Sequence, residues 1–547
     1  MTVPLPNGAH NQDHSNGTAY PNLKNIFFFA IPAWGHNKPI ITLAYRMLEA
    51  RPNLVITIFT SSMIYPKLLA EIAKIPDHVK GTSKDQRINV IDVCEPMHPL
   101  LPAPAFMPAF EALWKGEPVK CLSSGKEFIG IPRPTVAVID PFAGYVMEAI
   151  REITLPYPNG PLPIIAWMTA AIGPCIHLFG PKELGGIGLS GNLSVKTIRY
   201  GTEAEILSQM NAFAAKPTGK VISIPGVPSM YDYEQLPQLA PISGSLVEEI
   251  GRIYISKCDG IFTVTASCYE KAAIEHVKEN WLEKPLGSVL YPIGPLSTSD
   301  SSVRAGDDPL KVGPGEEQSP KALAIEFLDM MRKKCGEKSV IYMSFGSIFW
   351  PSDDDKLWAV IEEILASGTP LILAHPSPFM KPIGDDKLRF IREHPLATEF
   401  EWAPQETILS HPATGWFISH GGWNSTQEAF IYRVPQIFWP FGGDQPYNSL
   451  VISDHHKAGF ELINIRTGED GTKPVYRFKD LPDSKQPTFT VDAVRNEVRG
   501  LLAKLKGEEG QEKRKNFEKL GAAFLAGWSK DGEARASMEK FLKKYID

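Results

Sequence analysis

The sequence predicts an α/β protein built from two parallel-sheet units that face each other across a cleft. Three observations lead there. Short runs rich in Val, Ile and Phe recur with helical patterns between them, the rhythm of parallel strands joined by crossover helices. The runs are near-continuous in apolar residues, as expected of strands buried on both faces. They also fall into two series, divided at residues 297–320 by STSDSSVRAGDDPLKVGPGEEQSP, a stretch with almost no large apolar side chain. At 547 residues the chain has room for both units, since one domain takes about 100–200.

The first series opens with a strand at 25–31 (NIFFFAI) that stops at Pro32. After Gly35 and His36, Pro39 is expected near the first turn of a helix. Ile40, Leu43, Ala44, Met47 and Leu48 then form an i, i+3, i+4, i+7, i+8 stripe, one helical face. Further strands are expected at 54–60, 88–93, 135–140, 164–167 and 260–264. The second series begins with a strand at 339–345, then Gly346-Ser347, a helix from about 353 to 366 and a strand at 370–374; strands also fit 414–418 and 436–439. From Val491 the tail is helical and rich in Lys and Glu. The expected division is a disordered lead-in (1–24), a first domain (25–296), a linker (297–320), a second domain (321–525) and a C-terminal helix (526–547).

Composition narrows the function classes. Lys+Arg number 56 against 62 Asp+Glu, a net charge of −6, so no bulk basic field exists to hold nucleic acid. Six cysteines, at 94, 121, 175, 258, 268 and 335, include no CxxC pair. That fits neither a disulfide framework nor a zinc ribbon and points to a reducing, cytoplasmic setting. The first 24 residues lack the apolar run of a secretory signal, and no apolar stretch reaches the roughly 18 residues of a membrane span. No integral membrane segment is expected.

The most informative segment is 402–445, WAPQETILSHPATGWFISHGGWNSTQEAFIYRVPQIFWPFGGDQ. A strand ending at Ser419 delivers His420-Gly421-Gly422 into a tight turn, and Asn424-Ser425 open a helix running through Glu428. Backbone amides and a partial positive charge point out of that helix start, a natural phosphate site with His420, Asn424 and Ser425 as added donors. Trp402 offers a flat ring for a base, Glu428 an acceptor for ribose hydroxyls, and Asp444 with Gln445 partners for sugar hydroxyls. Taken singly, each has an ordinary structural explanation: a Trp is usually core, and an Asp-Gln pair in a Gly-rich loop is usually turn chemistry.

Taken together they closely resemble the 44-residue signature of the plant-type UDP-dependent glycosyltransferases of family 1. The opening WAPQ, the central His-x-Gly-Trp-Asn-Ser, the following Glu and the closing Asp-Gln stand at matching spacing, with no insertion or deletion. Gly421 stands where the family usually has Cys, and Arg433 where Gly commonly precedes Val-Pro. The resemblance implies a GT-B fold of two Rossmann-like domains. It further implies that Trp402, with Ala403 beside it, stacks uracil and that Gln405 and Glu428 hold the ribose. His420, Gly422, Asn424 and Ser425 then bind the diphosphate, and Trp423, Asp444 and Gln445 read the sugar. A terminal Gln resembles the glucose-preferring form of the signature. The SFGS at 344–347 is similar to the family's strand-end motif, whose Ser, here Ser347, faces the diphosphate.

In the first half, IPAWGH at 31–36 with Pro39 resembles the family turn whose His is the general base. An imidazole with a pKa near 6.5 suits removal of a proton from a hydroxyl. Asp140, at the end of a predicted strand, stands where the family places the carboxylate that orients that base, as in a triad. WMTAA at 167–171 is similar to the segment whose Thr, here Thr169, touches donor sugar or acceptor. IPG at 224–226 and YPIGP at 291–295 match two further landmarks. Trp34 departs from the small or amide residue common two positions before the base. By the same resemblance the C-terminal helix packs back across the first domain.

Two motifs are set aside. The GIGLSG at 186–191 is formally GxGxxG but follows no apolar strand. Asp353-Asp354-Asp355 mimics a metal-binding Asp-x-Asp, yet it follows Ser352 at a helix start, where acids complement the dipole. The resulting expectation is an inverting, metal-independent transfer of glucose from UDP-glucose, the donor substrate, with no cofactor. The acceptor is a hydroxyl of a hydrophobic small molecule, phenolic or terpenoid-like, and the product a β-glucoside. A catalytically inactive UDP-sugar-binding protein, an epimerase of the same architecture and a sterol or lipid acceptor are the alternatives. Residues 96–110 and the aromatics Trp34, Trp167, Phe349, Trp350 and Phe441 either line an acceptor pocket or belong to the core. Oligomeric state is not legible in the sequence.

Overall fold

The computed structural model describes residues 23–81, 86–94, 105–158, 160–187, 217–239, 245–297, 308–313, 316, 318–376 and 383–547. Most of the expected lead-in and linker, residues 96–104 of the proposed acceptor segment and residues 188–191 of the GxGxxG run lie outside the described residues.

Seven strands make the first sheet: β1 (Lys24–Phe29), β2 (Leu54–Ser61), β3 (Ile88–Cys94), β4 (Pro134–Ile139), β5 (Ile164–Met168), β6 (Gly260–Thr263) and β7 (Val289–Pro292). Their spatial order is β7-β6-β5-β4-β1-β2-β3, with every pairing parallel. The second sheet holds β8 (Val340–Ser344), β9 (Leu371–Ala374), β10 (Ala397–Phe400), β11 (Thr414–Ser419), β12 (Gln436–Phe438) and β13 (Phe460–Glu461). Its order, β10-β9-β8-β11-β12-β13, is again wholly parallel. Each sheet thus runs outward in both directions from its first strand. The places where the order reverses, between β1 and β4 and between β8 and β11, are where ligands of such sheets bind. Strands β7, β10 and β13 are not among those the sequence pattern predicts. All three are short edge strands, and β7 ends on Pro292, which only an edge tolerates.

The helices that carry the site are α1 (Trp34–Ala50), α2 (Tyr65–Ala73), α3 (Ile172–Phe179), α4 (Gln405–Ser410), α5 (Trp423–Tyr432) and α6 (Gln445–Leu450); α7 (Glu508–Leu525) and α8 (Glu533–Tyr545) close the chain. All five stripe residues of α1 are buried. The helix starts at Trp34, so Pro39 lies inside it and not in its first turn. A proline there cannot donate to the carbonyl four residues back, which leaves the Gly35 oxygen without its helical partner. Helix α8 lays Phe541 against Phe262 of β6 and Tyr291 of β7, ring centroids 4.7 and 5.8 Å apart. Arg51, just after α1, forks onto the Asp547 carboxylate at 2.8 and 2.9 Å.

Candidate active site

His36 stands in the first turn of α1, directly after β1, and Asp140 directly after β4, so the two meet at the reversal point of the first sheet. The His36 Nδ1 lies 2.7 Å from Asp140 Oδ2. Asp140 is fully buried and is fixed by two main-chain donors, Ile31 N to Oδ2 at 3.3 Å and Phe142 N to Oδ1 at 3.0 Å. A carboxylate so placed accepts a hydrogen bond from Nδ1–H and leaves Nε2 as the imidazole's acceptor atom. Burial works against charge on the ring, but the Asp140 charge and hydrogen bond, with the field of Asp444, outweigh it and raise the His36 pKa above 6.5. Asn37 ties the turn down by donating to the carbonyls of Ile31 and Ala33. The Trp167 indole donates to the His36 carbonyl at 2.8 Å.

The second sheet has its own reversal point. There β8 leads into Gly346-Ser347 and β11 into His420-Gly421-Gly422, the last capping α5. The turn is built around the buried His420 ring. A Cβ on Gly422 would stand 2.3 Å from its Nε2 and one on Gly346 2.8 Å from its Cε1, so both positions require glycine. Burial drives the His420 pKa down to about 4, which makes it a neutral donor near pH 7. Its Nδ1 has no partner among the described residues. Ser347 is exposed at the mouth of this turn.

The groups expected to bind nucleoside lie together. Trp402 presents its ring at 57% exposure. Gln405, which opens α4 two residues after Ala403, donates to Glu428 Oε2 at 2.6 Å and to Ser425 Oγ at 3.4 Å, and accepts from Tyr342 at 3.2 Å. Asp444 and Gln445 open α6. The Asp444 carboxylate accepts from Asn448 at 2.9 Å, and burial pushes its pKa up to about 6. Gln445 holds the Phe441 amide through Oε1 at 2.8 Å.

Two expected ligand residues are engaged elsewhere. The Trp423 indole is buried against Tyr269 and donates to the Val264 carbonyl at 2.6 Å, so only its main-chain N–H, at the open end of α5, faces the site. Asn424 Nδ2 donates across the cleft to the Gly35 carbonyl at 2.8 Å, the oxygen that Pro39 deprives of a helical donor. Thr169 follows β5 and shares no side-chain hydrogen bond with the others among the described residues. Of the aromatics, Trp167 and Phe441 are core, whereas Trp34, Phe349 and Trp350 are only partly buried. Asp353 caps the helix Asp354–Ala366 by accepting from Lys356 N at 3.1 Å.

Known proteins resemble this chain in sequence and in fold. Residues 315–470 match the family model of UDP-glucoronosyl and UDP-glucosyl transferases. The UDP-glycosyltransferase eriJ of Hericium erinaceus is 27% identical over 529 residues, 94% of this chain and 97% of its own. The chain is thus similar to the UDP-dependent glycosyltransferases over nearly its whole length, and to their family model over residues 315–470. An anthocyanidin 3-O-glucosyltransferase of Gentiana triflora is 22% identical over 92% of this chain and 98% of its own. Among solved structures, Medicago truncatula UGT71G1 complexed with UDP-glucose covers 96% of this chain and 98% of its own at a TM-score of 0.65 and 18% identity. Phytolacca americana UGT2 complexed with UDP-2fluoro-glucose and pterostilbene covers 96% and 100% at a TM-score of 0.62 and 17% identity. The fold is therefore GT-B, two Rossmann-like domains across a cleft. No described helix is long and apolar enough to cross a membrane.

Sequence reasoning missed several residues that build this enzyme's site. Lys38 reaches across the cleft to Glu428 at 2.6 Å and Glu406 at 3.2 Å. Gln427 accepts from Leu296 N at 2.7 Å, and Asn448 holds both the Gly421 carbonyl and Asp444 at 2.9 Å. Phe142 sets its ring 5.5 Å from that of His36. Only Lys38 gave a sequence signal, a charge placed one residue before Pro39 at the start of a helix whose later turns carry an apolar stripe.

Proposed function

We propose that this enzyme transfers glucose from UDP-glucose to a hydroxyl of a hydrophobic small molecule with inversion, giving a β-glucoside. The observation that carries the proposal is the His36–Asp140 pair at 2.7 Å, on a turn hydrogen-bonded through Gly35 to the first turn of α5. His36 Nε2 takes the proton of the acceptor hydroxyl as its oxygen attacks the anomeric carbon from the side opposite the diphosphate. Asp140 holds the tautomer and stabilises the imidazolium that forms. Charge growing on UDP meets the helix start, His420, Ser425 and Ser347, with Asn424 at its edge; preorganised donors of this kind often supply most of an enzyme's rate enhancement. No metal or cofactor is assigned a step. Trp402, Ala403, Gln405 and Glu428 take the nucleoside. Gly422, which caps α5, lies on the diphosphate side, and the Trp423 main chain, Asp444, Gln445 and Thr169 surround the sugar.

Glucose is the sugar bound in the Medicago truncatula structure and named for the Gentiana triflora relative. A phenolic acceptor is in keeping with that relative's name and with the part-buried rings of Trp34 and Phe142 beside His36. The division at 25–296, 297–320 and 321–525, with 526–547 returning to the first domain, and a cytoplasmic location belong to the same proposal. The test is the anomeric configuration of the product from UDP-glucose and a phenol, read by NMR. A β-linkage is expected; an α-linkage overturns the mechanism.

A further inference from the structure

The carboxylate assigned to ribose is already an ion-pair partner. Glu428 Oε1 receives the Lys38 ammonium at 2.6 Å and Oε2 the Gln405 amide at 2.6 Å. Lys38 comes from the other domain, two residues after the base, and also reaches Glu406 at 3.2 Å. The pair is shielded, with the Lys38 side chain 14% and that of Glu428 6% exposed. Burial opposes its charge, but Glu428 and Glu406 overcome this and hold the ammonium well above the ordinary lysine range. A second lysine of the first domain, Lys67 on α2, lies 5.4 Å from the centre of the Trp402 ring.

We propose that Lys38 is an affinity- and selectivity-setting residue for the nucleotide: its ammonium competes with the ribose diol for Glu428, so that binding a ribonucleotide loosens a contact that closes the cleft. The inference rests on the assignment of Glu428 to ribose made above. A diol binding side-on needs in-plane lone pairs on both carboxylate oxygens, one of which faces Lys38. A 2′-deoxyribose, with its 3′-hydroxyl alone, can bond Glu428 and leave the ion pair intact. Lys38 therefore weakens UDP selectively and leaves 2′-deoxy-UDP little affected. The benefit is on the product side. UDP held less tightly departs more readily, and product release limits many turnovers.

The experiment is calorimetric titration of UDP and of 2′-deoxy-UDP into the full-length wild type, Lys38→Met, Lys38→Arg and Glu428→Ala. Removing a cation near an anionic ligand acts equally on both nucleotides, so the quantity to read is the ratio of their Kd values. Lys38→Met is expected to raise the ratio Kd(2′-deoxy-UDP)/Kd(UDP) about tenfold, equivalent to about 1.4 kcal/mol. Lys38→Arg, which keeps the ion pair, should stay near wild type. A ratio that is unchanged or falls in Lys38→Met overturns the proposal. That holds equally if both nucleotides weaken together, as for a phosphate contact or a scaffold residue. Glu428→Ala separates the two levels: if it weakens UDP while the Lys38→Met ratio stays flat, only the competition fails. If UDP affinity is indifferent to Glu428, the ribose assignment falls and the competition with it.

Discussion

Asp140→Asn is the sharpest perturbation of the base, because the structure dictates how the amide must sit. Oδ1 of Asp140 accepts from Phe142 N and Oδ2 from Ile31 N, so the site offers two main-chain donors and the His36 ring. An Asn that keeps its oxygen on Phe142 N, the shorter bond, turns its NH₂ toward His36 Nδ1. The imidazole must then carry its proton on Nε2, the atom that should accept the substrate's proton. The flipped amide restores the tautomer but sets NH₂ against Phe142 N–H in a fully buried site, at a cost of about 1–3 kcal/mol. Either way the carboxylate that stabilises the imidazolium is gone, and charges about 4 Å apart at an effective dielectric near 20 interact by up to about 4 kcal/mol. Turnover should fall by about 10²–10⁴-fold with UDP affinity little changed. The pH profile gives an independent check. Asp140 raises the His36 pKa, so kcat/KM of the wild type declines below a pH above 6.5, and in Asp140→Asn the acid limb should move to lower pH. Initial rates from pH 5 to 9 decide the matter. Activity within threefold of wild type, or an acid limb that stays in place, refutes His36–Asp140 as the base pair.

Three further outcomes follow from the donor side. Trp402→Ala removes a largely exposed ring, so unfolding stability should stay within about 0.5 kcal/mol while UDP binding weakens by about 1–3 kcal/mol of lost stacking; unaltered UDP affinity by calorimetry takes the ring out of the nucleoside site. Gly422→Ala places a Cβ 2.3 Å from His420 Nε2, and Gly346 blocks the ring from the other side. Urea unfolding should show a loss of about 1–3 kcal/mol and titration a markedly weaker UDP complex, whereas normal UDP affinity would remove His420 from the diphosphate site. The His420 pKa of about 4 lies below that of an unfolded histidine, so the unfolded chain binds the extra proton between about pH 4 and 6.5. The stability this costs is absent above pH 6.5 and grows as pH falls. Between pH 7.5 and 4.5 the wild type should lose about 2.5 kcal/mol more than His420→Gln, and parallel stability curves would contradict the buried, neutral ring.

Much of this was legible because the informative residues are close in sequence. The α1 stripe from Ile40 to Leu48 reads as one buried face, and it is one. Residues 402–445 carry the groups assigned to the donor in a single run, and the structure brings Gln405, Ser425 and Glu428 together around α4 and α5. His36 and Asp140 are 104 positions apart, yet each follows the C-terminal end of a strand, and the strand-end rule of parallel sheets puts them side by side. What sequence could not give is the direction of side chains across the cleft. Trp423 sits inside the signature but turns its indole onto Val264, and Asn424 is drawn to Gly35 because Pro39 leaves that carbonyl open. Lys38 is paired with a carboxylate 390 positions away, a contact no local pattern encodes. The edge strands Ala397–Phe400 and Phe460–Glu461 escaped for another reason: runs of four and two residues are too short for periodicity to register.

The most direct test of the central claim is UDP release by the purified enzyme given UDP-glucose, UDP-galactose or UDP-N-acetylglucosamine with a mixture of phenolic, terpenoid and sterol alcohols, His36→Ala run alongside. The proposed mechanism predicts release that requires an acceptor, is fastest with UDP-glucose and drops at least about 10²-fold in the variant. Release that persists undiminished in His36→Ala with a neutral phenol, or that favours another sugar, would contradict it.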